Sequence, residues 1–177
     1  MAKVDEVENA IIKCFVAFVV KMNEGQLRPQ LVKLLKTVQK ASQGPLPFNL
    51  HKSLVFFKLM TSILNHLKEL FLPSYSLYFE FQLGVLGHAN QVLGEFRGEE
   101  KGSVESLPIV HNPVEGGHTV LKLQRVILEN LSTNFKHDTE AHIQNDMFEK
   151  LVEPVCKTLT LSNLGEHYAP LAKSTLK

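Results

Sequence analysis

Apolar side chains return to one face every three or four residues along almost the whole chain, which is the spacing of an α-helix and not the alternation of a strand. The clearest case is residues 27–42. There Leu27, Leu31, Leu34, Leu35 and Val38 fall within roughly one hundred degrees of arc, while Lys33, Lys36 and Lys40 project from the opposite side. Ahead of it, a helix near 4–23 carries Val7, Ile11, Phe15, Phe18 and Met22 as its apolar spine. Asn23, Glu24 and Gly25 break that helix, the glycine suiting the left-handed position past a helix end. Gly44-Pro45-Leu46-Pro47 turns the chain into a third helix over about 49–71, with Leu50, Leu54, Phe57, Ile63, Leu64, Leu67 and Phe71 inward. Pro73 marks the next start. The fourth helix, about 74–93, is apolar on several sides and should be heavily buried through Tyr75, Leu77, Tyr78, Phe79, Phe81, Leu83, Val85 and Leu86. Gly84 and Gly87 within it would let a neighbouring helix approach closely. Tyr75 to Phe81 alternates like a strand, but its neighbours are all helical and a lone strand has nothing to pair with.

Residues 94–117, rich in Gly, Pro and Glu and without period, read as a flexible acidic insertion. Helices resume at about 118–136, with Val120, Leu123, Val126, Ile127, Leu131 and Phe135 inward. Another runs at about 143–161, with Met147, Phe148, Leu151, Val155 and Leu159, and Pro154 predicts a kink in it. The tail from Asn163 would start a seventh. Helix starts near 4, 49 and 118 open three successive pairs, with a first spacing of about 45 residues and a similar second one once the insertion is removed. HEAT and armadillo repeats recur at ~40–47 residues, and such pairs stack because one pair cannot bury its apolar face alone. An irregular six-helix bundle satisfies the same periodicity. Either way the chain reads as one all-α domain over residues 1–177.

Composition narrows the chemistry. An apolar content of 44% and a charged content of 21% are ordinary for a globular protein of 177 residues. Cys14 and Cys156 each sit in an apolar helical pattern and read as buried free thiols. The charged start MAKVDEVEN is unlike a secretory signal, and the most apolar run, Cys14 to Val20, is far shorter than the ~20 residues of a membrane span. The net charge of +1 hides a segregation: residues 26–72 hold seven basic side chains against Glu69, for +6, while the insertion carries −3. The second and third helices therefore form a basic hairpin suited to a phosphate backbone or an acidic protein, with Lys33, Lys36 and Lys40 as its candidate contact surface. No aromatics interleave with these lysines as they do in single-strand binders.

The histidines do not assemble into a metal motif. His111 and His118 fall in or beside the insertion, and His137 and His142, five apart, do not share a helical face. There is no HExxH, no paired-cysteine motif and no GxSxG. Gly116-Gly117 precedes a helix but lacks the Lys and Ser/Thr of a phosphate loop, and Asp138 is placed to cap a turn after the fifth helix. The expectation is a protein without catalytic residues, metal, cofactor or small-molecule substrate.

Three blocks carry a family resemblance. GQLRPQLVKLL (25–35) opens an amphipathic helix with Arg28-Pro29. LVFFKLMTSILNHLKELFLPSYSLYF (54–79) joins an aromatic-rich helix, with Phe57, to Leu67, Leu70 and Phe71 and then a second helix. FKHDTEAHIQNDMFEKLVEPVCKTL (135–159) follows an Asp138 turn with Phe148 and Pro154. In this order the blocks resemble the C-terminal domain of the U3 small nucleolar RNA-associated protein ten family, large nucleolar HEAT-repeat scaffolds. The resemblance implies a non-catalytic component of the small-subunit processome in ribosomal RNA transcription and processing. It also implies a nucleolar location, no membrane association, protein subunits of a pre-ribosomal complex as partners, and contact with pre-ribosomal or small nucleolar RNA. Arg28, Pro29, Phe57, Leu67, Leu70, Phe71, Asp138, Phe148 and Pro154 are the positions that match, mostly as fold determinants. Family members are far longer chains, so the resemblance implies either one domain of such a protein or a short relative. The other expectation consistent with the helices is a general HEAT-type adaptor in transport or complex assembly.

Overall fold

The computed structural model describes residues 2–40, 49–97 and 113–162. Six α-helices make up most of them: α1 (Ala2–Val19), α2 (Glu24–Lys40), α3 (Leu50–Leu67), α4 (Phe79–Arg97), α5 (Pro113–His137) and α6 (Asn145–Ser162). A run of 3-10 turns, Lys68–Leu77, joins α3 to α4, and no strand occurs among the described residues. None of their helices is long and apolar enough to cross a membrane.

Packing skips one helix at a time. The most extensive contact is α3 against α5, α1 packs on α3, and α4 packs on α6. The odd-numbered helices thus form one layer, and α4 and α6 belong to a second that meets the first where α4 crosses α5. A bundle closed around one axis would bring chain neighbours together. Here like packs on like, one repeat along, and the fold is the all-α helical-repeat arrangement and not the irregular bundle. The 94–117 segment is shorter at both ends than its composition suggests. Residues 94–97 finish α4 and 113–117 open α5, so Gly116 and Gly117 lie inside a helix instead of before it. The rest of that segment, and the expected seventh helix after Asn163, fall outside the described residues.

Local chemistry sets most boundaries. The Asn49 side chain accepts the Lys52 backbone N–H at 3.0 Å and starts α3. The expected continuous third helix to residue 71 instead ends at Leu67, where Lys68 takes a positive φ of 50°. Pro73 has no N–H to give and disfavours α geometry in Leu72, so the chain proceeds by 3-10 turns and α4 starts at Phe79, later than 74. Gly25 is not a left-handed cap of α1 but belongs to the first turn of α2. Asn23 and Gln26 exchange backbone-to-side-chain hydrogen bonds of 3.0 and 3.1 Å in a capping box. The expected close helix approach is not seen at Gly87, because a Cβ there would meet nothing within 4 Å.

The face of α1 is the largest correction. Ile12, Val16 and Val19 are the buried residues against α3, whereas Val7, Ile11 and Phe18 of the expected spine are exposed, and only Phe15 and Met22 are half-buried. Glu8 on the inner side bridges Lys58 at 3.1 Å, a contact that goes with this face turned inward. Both thiols are also outward: Cys14 stands on the exposed side of α1 and Cys156 on that of α6, not in the core.

The core centres on the α3, α4 and 3-10 aromatics. Phe57 stacks on Phe81 with ring centroids 5.8 Å apart, and Tyr75 meets Tyr78 edge-on at 5.2 Å. Burial pushes the Tyr78 phenol well above its ordinary value of 10.0, with hydrogen bonds from Asn134 and Asn130 drawing it part of the way back. Burial, then the neighbouring Tyr78, raises Tyr75 as well. In the unfolded chain both ionise near pH 10. Above that value the unfolded state holds fewer protons than the folded one, so stability is intact below about pH 9 and falls by up to ~1.4 kcal/mol per pH unit per tyrosine above pH 10. In a Tyr168→Phe background, phenolate absorbance should therefore appear only together with loss of the helical circular dichroism. A smooth titration near pH 10 in folded protein would contradict the burial of both rings.

Candidate interaction surface

The surface at the α1–α2 end is assembled by two local features. The capping box starts α2 at Glu24, and Leu27, Leu31 and Val38 turn its apolar side inward. Lys33, Lys36 and Lys40 are then held outward on one stripe of roughly 60° of arc, at about 100° per residue. Among the described residues none of the three forms a salt bridge. The rest of the expected basic hairpin is weaker than its sequence charge. Lys58 is spent on Glu8 and Asp5, at 3.1 and 3.6 Å, and α2 makes only slight contact with α3. The basic surface is therefore α2 itself.

Beside the lysines runs an open apolar groove. Phe15 and Phe18 of α1, with Met22 just beyond its end, form one wall, Gln30, Leu34 and Thr37 of α2 the other, and Lys33 stands at the rim. Its two overlapping recesses measure about 530 and 460 Å³. The larger recess continues to Gly25 and Pro29, so Pro29 of the resemblance borders the groove, while the Arg28-Pro29 pair lies inside α2, past its start at Glu24, instead of opening the helix as expected. By its spacing the outer stripe of α1 reads as core, so this surface is hidden in the sequence. One available signal was the width of the apolar arc of α1, since Val4, Val7, Ile11 and Phe18 together with Ile12, Val16 and Val19 exceed what one buried face requires.

The remaining matching positions divide by environment. Phe57 and Phe71 are wholly buried and Leu67 is half-buried. Leu70 is 83% exposed and Phe148, against the expectation of an inward position, is 55% exposed with its ring edge-on to Phe135 at 6.2 Å. Both Asp138 carboxylate oxygens accept backbone N–H groups, of His142 at 2.7 Å and Ile143 at 3.0 Å, and so hold the turn before α6. Pro154 lies inside α6, where its carbonyl accepts from the Asn90 amide at 2.9 Å. No three His, Cys, Asp or Glu side chains among the described residues converge as a metal site.

Layers of stacked helices, with a lysine stripe and an open apolar groove at one end, make this an all-α helical-repeat domain with a candidate binding face. The chain belongs to the BP28CT (NUC211) domain family, whose model matches residues 1–143. That family comprises C-terminal domains of nucleolar proteins of ribosome biogenesis. The match takes in α1 to α5 and the Asp138 turn and stops short of α6. No curated protein and no solved structure matches the chain.

Proposed function

We propose that this chain is a non-catalytic scaffold domain of the small-subunit processome, equivalent to the C-terminal domain of the U3 small nucleolar RNA-associated protein ten family. In this reading it acts in the nucleolus in ribosomal RNA transcription and processing. Its HEAT-like stack holds protein subunits of a pre-ribosomal complex, and pre-ribosomal or small nucleolar RNA is within reach of the α2 lysines. The family match over residues 1–143 carries the reading, and the three ordered sequence blocks add the particular family. Tagged protein should sediment with pre-ribosomal particles and concentrate in nucleoli. A uniform cytosolic distribution without recovery of pre-ribosomal RNA would overturn it.

The α2 surface gives a sharper prediction. Reversing Lys33, Lys36 and Lys40 to Glu should leave the melting temperature nearly unchanged, because all three are exposed. If three phosphates are neutralised there, the slope of log affinity for single-stranded RNA against log salt concentration should become shallower by about two. An unchanged slope would remove RNA from this surface. The second reading, a general HEAT-type adaptor in transport or complex assembly, is favoured by the exposed apolar side of α1. Affinity purification separates the two: processome subunits support the first, carriers or signalling proteins the second.

A further inference from the structure

We infer that the α1–α2 end docks an amphipathic helix of a partner protein, about four turns long, with an apolar stripe and acidic residues along one flank. The inference deepens the scaffold reading and rests on it for the setting only, not for the geometry. The observations are on one face. Val4, Val7, Ile11 and Phe18 stand on α1 at 57, 59, 64 and 61% exposure, a stripe running ~20 Å at 1.5 Å per residue. Helix α1 thus presents a second apolar side besides the one packed on α3, and the groove lined by Phe15, Phe18, Met22 and Leu34 extends it onto α2. A groove between two helices that is open along its length fits a helix laid into it, read through anchors at i, i+3 or i+4 and i+7.

The charge of the rim selects the occupant. Lys21 lines the larger recess together with Phe18 and Met22, Lys33 lines the other from α2, and Lys36 and Lys40 continue the stripe. On α1, Asp5 and Glu8 are turned toward Lys58. An apolar helix with Asp or Glu on the side facing α2 satisfies both halves of the surface. A second copy of this chain does not, since a two-fold interface presents this same patch, whose rim supplies lysines where the occupant needs acids. An RNA strand would meet the lysines but leave Val7 and Ile11 in water, with Phe18 the one aromatic of the outer stripe to stack on, where single-strand binders use several.

The test places p-benzoylphenylalanine at position 18 of the full chain in cells, with photo-crosslinking followed by mass spectrometry. The control carries the same group in place of Lys122, an exposed residue of α5. Far-UV circular dichroism establishes that the labelled chains fold. The expected adduct is on a helical segment of another protein with apolar residues at i, i+3 or i+4 and i+7 and acidic residues beside them. Lys33→Glu with Lys36→Glu should lower its yield by about tenfold or more. Three results overturn the inference: adducts on a second copy of this chain, adducts on RNA, or a yield no greater than the control. If the captured helix belongs to a protein outside pre-ribosomal particles, the docking stands and the processome reading falls. Co-sedimentation with those particles without a position-18 adduct has the opposite meaning.

Discussion

Phe57→Ala should lower the urea midpoint of this domain by about 1–2 M, with little change in slope. The Phe57 ring is 0% exposed, stacks on Phe81 at 5.8 Å and meets Phe56 edge-on at 5.2 Å. Truncation removes the buried ring and leaves a cavity between α3 and α4 that rigid neighbours cannot fill, which costs ~3–5 kcal/mol. Domains of this size are commonly stable by only ~5–15 kcal/mol, so the loss takes a large share of the total. Phe148→Ala is the matched control. Phe148 belongs to the same family resemblance, but it is 55% exposed, and its truncation should cost less than about 1 kcal/mol. Equal losses in chemical denaturation would mean that the two phenylalanines have been assigned to the wrong environments. A large loss of partner binding by Phe148→Ala with unchanged stability would instead mark the α6 end as a second contact surface.

The contrast between these residues shows what a sequence can and cannot say about such a fold. Helix existence was legible because apolar spacing is a local property: each of the six α-helices overlaps a segment of helical period. The inward face of α3 was legible for the same reason, since Leu54, Phe57, Ile63 and Leu64 form one arc that is buried as expected. Asp138 was legible as a cap because its short carboxylate follows a helix end directly. The inward face of α1 was not. That helix is apolar on two adjacent arcs, and periodicity ranks arcs by side-chain hydrophobicity without knowing where a neighbour lies. The ion pair of Glu8 with Lys58 and its contact with His51, between residues far apart in the chain, accompany the turn of the less obvious arc toward α3.

The candidate site was half legible in the same sense. Lys33, Lys36 and Lys40 follow from the helical wheel of α2 alone. The groove beside them needs the relative placement of α1 and α2, which no spacing encodes. Segment charge also overstated the basic hairpin, because a count of lysines cannot see that Lys58 is neutralised by acids from α1. The step from α3 to α4 shows a different limit. Pro73 reads in the sequence as the start of the next helix, but it lies inside the 3-10 run, and its effect spreads backward to Lys68 and forward to Tyr78, because 3-10 turns replace the α-helical register on both sides of it.

Asn130→Ala should destabilise the domain nearly as much as Phe57→Ala, although it deletes only a small polar group. Asn130 is buried where α3, α4 and α5 meet. Its Oδ1 accepts from Gln82 Nε2 at 3.1 Å and from Asn134 Nδ2 at 3.0 Å, and its Nδ2 donates to Thr61 Oγ1 at 3.1 Å. Gln82 in turn accepts from the Tyr75 hydroxyl at 3.0 Å, which ties the 3-10 turns into the same network. Removing Asn130 leaves the Gln82 amide and the Thr61 hydroxyl dry and without these partners, at ~1–3 kcal/mol each, for a loss of about 3–5 kcal/mol. The apolar periodicity of α4 and α5 gives no hint of this, since Gln82 and Asn130 sit among buried leucines as if they were ordinary core positions. The mechanism is a shared network and not three separate bonds, so the losses should not add. In a double-mutant cycle, Gln82→Leu with Asn130→Leu should be less destabilised than the sum of the single changes by about 1–3 kcal/mol, because the second change removes a group that the first has already orphaned. Strict additivity in chemical denaturation would mean that the two amides are not bonded to each other in the folded protein, and the packing of α4 on α5 would then rest on apolar contact and on the buried Gln124–Asn90 hydrogen bond of 2.8 Å.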